Sequence, residues 1–375
     1  MGPTQKKVIV AVVALAVAIA LTSYYLIQGP GRSTVTQSPV KQAITISGAG
    51  ASFPAPQILE WAREFTKKTG IVVTYSSIGS GAGRAMLFNR TVVFACSDPP
   101  LDKKLYSEHQ GKILQVPWIL GAVVITYNVP EIPRDVSLNF TGMILALIFK
   151  GEISKWNDAR IKEVNPRVAH LLPDKEIVVV HRSDSSGTTR VLTGYLNKAA
   201  PDVWGKDLVG FTIDWPIDRI GRGLGGKGNE GVAKLINTTS YSIGYVEASY
   251  ALTAGMPMAK IMNRDGYFVL PTEESVMSAV ENVVDKIPDS PLGDFSDVMD
   301  AMLDASGPKT YPIVTFSYVF VYSSYEDGDV AKALSDFIYY ALTEGQNKLI
   351  PGYYRLPSKV VDIGLKAVNI LRGGS

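Results

Sequence analysis

The chain has 375 residues, 46% of them hydrophobic, and a formal net charge of +2. A balance so close to neutral excludes the electrostatic footprint of a nucleic-acid binder or of a partner for an acidic polymer. A single cysteine, Cys96, excludes an intrachain disulfide and a Cys-rich metal cluster, and His109, His170 and His181 form no HExxH pair, so no metal or cofactor is expected.

In chain order, Lys6 and Lys7 precede Val8 to Ile27, a run of 20 residues without a charge. At about 1.5 Å rise per residue such a run crosses a hydrocarbon core of roughly 30 Å. Lysines before the segment and none directly after it place the N-terminus inside and the remainder outside the cell membrane. Ala18-Ile19-Ala20 resembles a signal-peptidase site, but an h-region usually runs only about 7 to 15 residues, so residues 1–27 are expected to be an uncleaved anchor, the secreted form being the alternative. Residues 28–42, with Gly29-Pro30-Gly31 and a Ser/Thr/Gln-rich stretch, form a tether that cannot build a core.

From residue 43 the chain alternates strand and helix signals. Ile44-Thr45-Ile46 predicts a strand, and Ala55 to Thr69 a helix with Pro54 and Pro56 at its entrance and Gly70 past its end. Ile71 to Ser76 predicts a strand, about Gly83 to Asn89 a helix, and Val92 to Ala95 another strand. This βαβαβ run implies a parallel sheet with helices on both faces. A second α/β pattern follows Val123-Val124-Ile125-Thr126-Tyr127, with helices at Thr141 to Lys150 and Thr188 to Lys198 and strands at Ile177 to Val180 and Ser242 to Val246. Ile313 to Tyr322 alternates as a strand would, and helices over Val330 to Thr343 and Val360 to Leu371 return to the first lobe. The expected division is lobe I over 43–126 plus 312–375 and lobe II over 127–311.

The segment His181-Arg182-Ser183-Asp184-Ser185-Ser186-Gly187-Thr188-Thr189-Arg190 sits where a buried strand hands over to a helix. Helix N-termini leave N–H groups free and carry the positive end of the macrodipole, so such a loop reads either as an ordinary cap or as an oxyanion seat. Three other junctions carry small donors: Gly48 to Pro56, Ile78 to Gly83, and Ala95-Cys96-Ser97-Asp98. Open α/β sheets bind ligands beyond the carboxyl ends of their strands, where all four segments lie. Their recurrence favours the anion seat.

These residues resemble the substrate-binding proteins of high-affinity phosphate ABC transporters, which have a two-lobed type II periplasmic-binding-protein fold. The resemblance rests on Gly48-Ala49-Gly50-Ala51-Ser52-Phe53-Pro54-Ala55-Pro56, Ile78-Gly79-Ser80, Ala95-Cys96-Ser97-Asp98 with Leu101, and Arg182 to Thr188. It extends to Gly225-Gly226-Lys227-Gly228-Asn229-Glu230-Gly231 and Ile243-Gly244-Tyr245-Val246-Glu247. It implies ligand contacts at Ser52, the backbone of Phe53, Ser80, Asp98, Arg182, Ser186, Gly187 and Thr188. Ser52 stands where the family often has threonine, Gly81 replaces a common serine, and Cys96 and His181 are less typical neighbours. The implied ligand is inorganic phosphate, held in the interlobe cleft of a monomer and passed outside the cytoplasm to the permease subunits of an ABC importer.

The residue chemistry suits phosphate. A carboxylate at Asp98 accepts the phosphate O–H but repels an unprotonated sulfate oxygen, while Arg182 supplies a planar fork of charge and Asp184 either holds that fork in place or caps the helix. The alternatives are another tetrahedral oxyanion and a phosphatase-like enzyme. Against the enzyme, Ser80 lacks a GxSxG elbow and no His is paired with an acid in triad order. Gly221-Arg222-Gly223-Leu224-Gly225-Gly226-Lys227 almost completes a Walker A loop, but Gly228 stands where magnesium needs a hydroxyl, so this segment is expected to be a glycine loop opening a helix near Asn229. Asn89-Arg90-Thr91, Asn139-Phe140-Thr141 and Asn237-Thr238-Thr239 are glycosylation sequons compatible with a surface protein.

Overall fold

The computed structural model describes residues 44–373. The expected anchor and tether lie outside these residues, and among the described ones no helix is long and apolar enough to cross a membrane. The strands are β1 (Thr45–Gly50), β2 (Val72–Ser77), β3 (Phe94–Ser97), β4 (Ile113–Asn128), β5 (Asn139–Phe140), β6 (Val178–Arg182), β7 (Gly223–Gly226), β8 (Ser242–Glu247), β9 (Lys260–Met262), β10 (Phe268–Val269), β11 (Val314–Tyr322) and β12 (Tyr353–Tyr354). Six helices bear on the argument: α1 (Ala55–Thr69), α2 (Ser80–Phe88), α3 (Gly187–Ala199), α4 (Gly228–Thr238), α5 (Gly328–Leu342) and α6 (Ser358–Leu371).

Among the described residues, eight strands form one path, β2-β1-β3-β11-β4-β8-β6-β7, with β12 added to β4 and a small separate sheet β10-β9-β5. Pairing is parallel within β2-β1-β3 and within β8-β6-β7, and antiparallel at β3-β11, β11-β4 and β4-β8. The βαβαβ unit is thus parallel as its pattern implies, while the centre of the sheet is not. Strand β4 joins the two halves: it pairs with β11 as far as Ala122 and with β8 from Val123 onward.

Only the Val123–Tyr127 part of β4 is expected from sequence, because Pro117 lacks a ladder donor and Gly121 weakens a strand. A bulge accommodates the proline: opposite Ser317 and Tyr318 the pairing passes from Ile119 to Pro117 and skips Trp118 of β4. At Gly121, an added Cβ would meet the Phe53 ring at 2.8 Å, so close packing accounts for the glycine. Further boundaries differ, among them the end of β1, which runs on to Gly50 rather than Ile46. Helix α2 begins at Ser80 rather than near Gly83, because Gly79, at φ 93°, makes the turn that an L side chain resists. Strand β3 begins at Phe94 rather than Val92, where its register with β1 runs from Gly48↔Phe94 to Gly50↔Cys96.

The glycine-rich stretch before α4 is corrected more substantially. Gly223–Gly226 is not a loop but an edge strand parallel to β6. Glycine is poor in strands, yet here it permits close approach, since a Cβ on Gly226 would lie 2.6 Å from the Val232 nitrogen in α4.

The first half is packed around Trp61 of α1, Trp118 of β4 and Phe337 of α5, with Trp61–Trp118 and Trp118–Phe337 centroids 5.7 and 6.0 Å apart in edge-on contacts. In the second half Trp215 stacks on His181 at 4.8 Å and lies 6.0 Å from Tyr245. A smaller apolar cluster of Val124, Val180, Val232, Ile236 and Val246 seats α4 on the sheet. The packing holds the strand ends rigidly. On both halves the carboxyl ends of the parallel strands converge on one place.

Candidate functional site

Four helices begin at this convergence, and their first turns touch across it. From the first half come the buried turn of Ser52 before α1, Ser80 as the first residue of α2, and Asp98 just past β3. From the second half come Arg182 at the end of β6, the loop leading to α3, and the start of α4. Ser52, Ser80, Asp98, Arg182, Ser186 and Thr188 are all buried, so these polar groups must satisfy one another or a ligand.

The contacts across the halves are specific. Gly187 N–H donates to Ser80 Oγ at 3.1 Å. Asn229 donates to Ser52 Oγ twice, from its backbone N–H at 2.9 Å and from Nδ2 at 3.0 Å. Thr188 Oγ1 donates to Asp98 Oδ2 over a long 3.4 Å. A Cβ on Gly187 would fall 2.5 Å from both Asp98 Oδ2 and Ser80 Oγ, so only glycine allows this approach.

Arg182 is held by its neighbour two residues on. Its Nε and Nη2 donate to the two oxygens of Asp184 at 2.7 and 2.6 Å, while Nη1 faces Thr188 Oγ1 at 3.4 Å. Asp184 also accepts from Gly228 N–H at 3.1 Å, tying β6 to the start of α4. Burial would lower the Arg182 guanidinium, but the Asp184 carboxylate outweighs it and holds the group above its ordinary value. Burial works against ionised Asp184 too, and the Arg182 fork with the Gly228 N–H brings its carboxyl below the usual range.

Asp98 differs. Burial pushes its carboxyl up to about 7, against the opposing pull of Ser317, Arg182 and Thr188. Its Oδ1 accepts from Ser317 Oγ at 3.1 Å, leaving Oδ2 to face Gly187 and Thr188. Near neutral pH it is therefore poised between a carboxylate that only accepts and an acid that donates.

The remaining residues have double duties. Ser186 Oγ caps α3 by accepting from Thr189 N–H at 3.0 Å, and Ser186 N–H donates to the Phe211 carbonyl at 2.8 Å. Of the two readings of this loop in the sequence, the helix cap is thus present at Ser186. Phe53 packs its ring beside Gly121 and accepts from Tyr353 OH at its carbonyl at 2.6 Å. Tyr245 OH meets Thr189 Oγ1 at 2.6 Å and accepts from Arg182 N–H at 3.2 Å, which fixes the strand end.

The structure links Ser52, Ser80, Asp98, Arg182, Gly187 and Thr188 across the two halves, leaves Phe53 and Ser186 beside them with other partners, and adds three residues. Asn229 is the most connected: besides Ser52, it donates to Thr188 Oγ1 at 3.2 Å and accepts from Glu247 N–H at 3.1 Å. Tyr250 OH donates to the Ser52 carbonyl at 2.7 Å, and Ser317 reaches Asp98 from β11. Asn229 lies inside a quoted glycine-rich motif, which was its only signal. Ser317 and Tyr250 carry none, because their roles come from partners about 200 residues away. Glu247, which closes β8, is fully buried and burial pushes its carboxyl up to about 8, against the pull of bonds from Ser249 and Tyr353.

The arrangement presents hydroxyl and N–H donors from both halves around one buried carboxyl and one guanidinium. It can enclose a small oxyanion that carries a proton. Comparison with known proteins agrees in kind. Residues 32–344 match the model of the PBP superfamily domain. The chain is 38% identical to the phosphate-binding protein PstS of Methanocaldococcus jannaschii, over 99% of this chain and 97% of that one. It is 40% identical to the phosphate-binding protein PstS of Pasteurella multocida, over 85% and 88%. In fold it is similar to the high affinity periplasmic phosphate-binding protein PfluDING bound with phosphate, with a TM-score of 0.65 at 21% identity, covering 86% of this chain and 93% of that one. It is also similar to a putative phosphate ABC transporter substrate-binding protein with bound phosphate from Clostridium perfringens, with a TM-score of 0.58 at 17% identity, covering 84% and 100%.

Proposed function

The chain belongs to the PBP superfamily and, within it, to the PstS phosphate-binding proteins, and on that premise we propose that it captures inorganic phosphate outside the cytoplasm and delivers it to an ABC-type importer. One observation carries this reading: a buried carboxyl, Asp98, lies among donors contributed by both halves of the sheet. An anion seat built only for charge has no use for a carboxylate, whereas a seat for a protonated anion needs one acceptor.

In this reading Ser52, the Phe53 backbone, Ser80, Arg182, Ser186, Gly187 and Thr188 donate to phosphate oxygens, Asp98 takes the phosphate O–H, and Asp184 positions Arg182. Hydroxyl bookkeeping supports Ser52 as a donor. Its oxygen already accepts two bonds from Asn229, so only its hydrogen is free to point at a ligand. Asn229→Ala is therefore expected to weaken phosphate binding by about 10- to 100-fold, since it removes bonds to Ser52 and Thr188 at once. Isothermal titration checks this, and an unchanged affinity would refute the orienting role.

The two lobes, 43–126 plus 312–375 and 127–311, close over the ligand by bending where β4 changes partners. The anchor at residues 1–27 and the tether at 28–42 keep the monomer near the permease and raise its local concentration there. Binding, and not turnover, is the expected activity. His181, the only histidine near the site, has Nε2 2.8 Å from Asp218 Oδ1 and Nδ1 3.1 Å from the Arg182 carbonyl, so neither nitrogen faces a serine of the seat as a base.

The deciding experiment titrates the full chain with phosphate, sulfate and a phosphate monoester, with product release followed for the ester. Tight binding of phosphate alone is expected. Sulfate bound equally well would sink the phosphate assignment, and ester turnover abolished by Ser52→Ala or Ser80→Ala would replace the binding protein with an enzyme.

A further inference from the structure

Arg84 lies one turn beyond Ser80 on α2, and it is 9% exposed. Buried guanidinium groups are ordinarily paired with carboxylates, as Arg182 is with Asp184. Arg84 is not: its Nη1 has no hydrogen-bond partner among the described residues. Its guanidinium carbon instead lies 4.2 Å from the centroid of the Phe211 ring. Burial pulls the guanidinium down to about 10, with Asp102 partly opposing.

The ring belongs to the other half of the molecule, in the segment between α3 and β7. Its backbone is tied to the anion seat, because the Phe211 carbonyl accepts from Ser186 N–H at 2.8 Å. Beside this contact, Gly81 N–H donates to the Ser185 carbonyl at 3.3 Å, and Ser80 Oγ accepts from Gly187 N–H at 3.1 Å. A cation over an aromatic face is attracted by the ring quadrupole, and the attraction strengthens when water is excluded. This contact joins the first turns of α2 to the segment that follows α3, so it forms only when the two halves meet.

We propose that Arg84 and Phe211 form a cation–π latch between the two halves, which holds the closed form and slows ligand release without touching the ligand. The inference rests on the proposal that the chain closes over phosphate. Arg84 is a positioning residue: it acts on affinity through the closed-state population, and its contribution is absent from the open form. A ligand's apparent affinity falls in proportion to any loss of the competent state.

The test compares the full chain with Arg84→Met, Phe211→Leu, the double variant and Arg84→Lys, using phosphate titration, release rates, and melting with and without phosphate. Each single substitution by Met or Leu is expected to weaken binding by about tenfold, mainly through faster release. The double variant is expected to be no weaker than the worse single one, because both remove the same contact. Arg84→Lys keeps a cation over the ring and should recover part of the loss. Melting without phosphate should be unchanged. Unaltered affinity in both single variants would overturn the latch, as would losses that add in the double variant, or a ligand-free melting temperature that falls as far as the liganded one. An unmodified chain that binds no phosphate would instead sink the functional proposal itself, and is read from that protein alone.

Discussion

Arg182→Ala is expected to weaken phosphate binding by about 100- to 1,000-fold, the largest loss of any single substitution at the site. Arg182 is the one cation among the residues proposed to touch the ligand, and charge-assisted hydrogen bonds in a dry site contribute about 1.5–3 kcal/mol each. Its removal also leaves the partly buried Asp184 with the Gly228 N–H but no cation beside it, and takes from Asp98 the cation that pulls its carboxyl down. Breaking a buried ion pair costs about 3–5 kcal/mol of stability, so a lower melting temperature should accompany the loss. Arg182→Lys separates the two effects. It keeps a positive charge but not the fork that engages both oxygens of Asp184, and it should fall between the two extremes. Titration with phosphate checks the series, and an alanine variant that binds as the unmodified chain does would remove Arg182 from the site.

Asp98→Asn is expected to weaken phosphate and to admit sulfate, narrowing the ratio of the two affinities by about 100-fold. An amide offers an N–H to an unprotonated oxygen where the carboxylate offers repulsion. The same reasoning gives a pH dependence in the unmodified chain. With its carboxyl near 7, Asp98 is mostly ionised at pH 8 and mostly protonated at pH 5, where it can itself donate. Sulfate affinity should therefore rise from pH 8 to pH 5. Stability of the closed form follows with a defined sign: burial raises the folded value above the ordinary one of 3.8, so the folded state holds an extra proton between about 4 and 7. Stability is full below that window and is lost as pH rises through about 7. Asp98→Asn lacks this loss, so at pH 8 its closed form should be favoured relative to that of the unmodified chain, with the difference vanishing near pH 4. Sulfate titrations with identical profiles in both proteins would show that Asp98 is not the filter.

These effects rest on residues whose legibility in the sequence was uneven. Ser52, Ser80, Asp98, Arg182 and Ser186 to Thr188 stand out because each follows a short buried strand and opens a helix or its approach. That transition is local and leaves a readable trace of β-branched residues, then glycine and small donors, then an amphipathic run. Asn229 is marked only by the glycine-rich motif around it, and Ser317 and the Arg84–Phe211 contact leave no trace at all. Asn229 reaches Ser52 across 177 positions and Ser317 reaches Asp98 across 219, and no local pattern encodes either meeting. Strand β4 shows the same limit in the fold: Pro117 and Gly121 break its pattern, and only the bulge at Trp118 against β11 and the Phe53 ring beside Gly121 make the continuous strand intelligible.

The amino-acid sequence by itself determined the strand–loop–helix junctions and the donor types placed at them, because hydrophobic period, helix caps and glycine turns act over a few residues. Tertiary structure alone decided which junctions face one another, how burial raises Asp98 while Asp184 secures Arg182, and where a ring covers a guanidinium. Those outcomes depend on desolvation and on contacts between distant segments, and both exist only once the sheet has brought the two halves together.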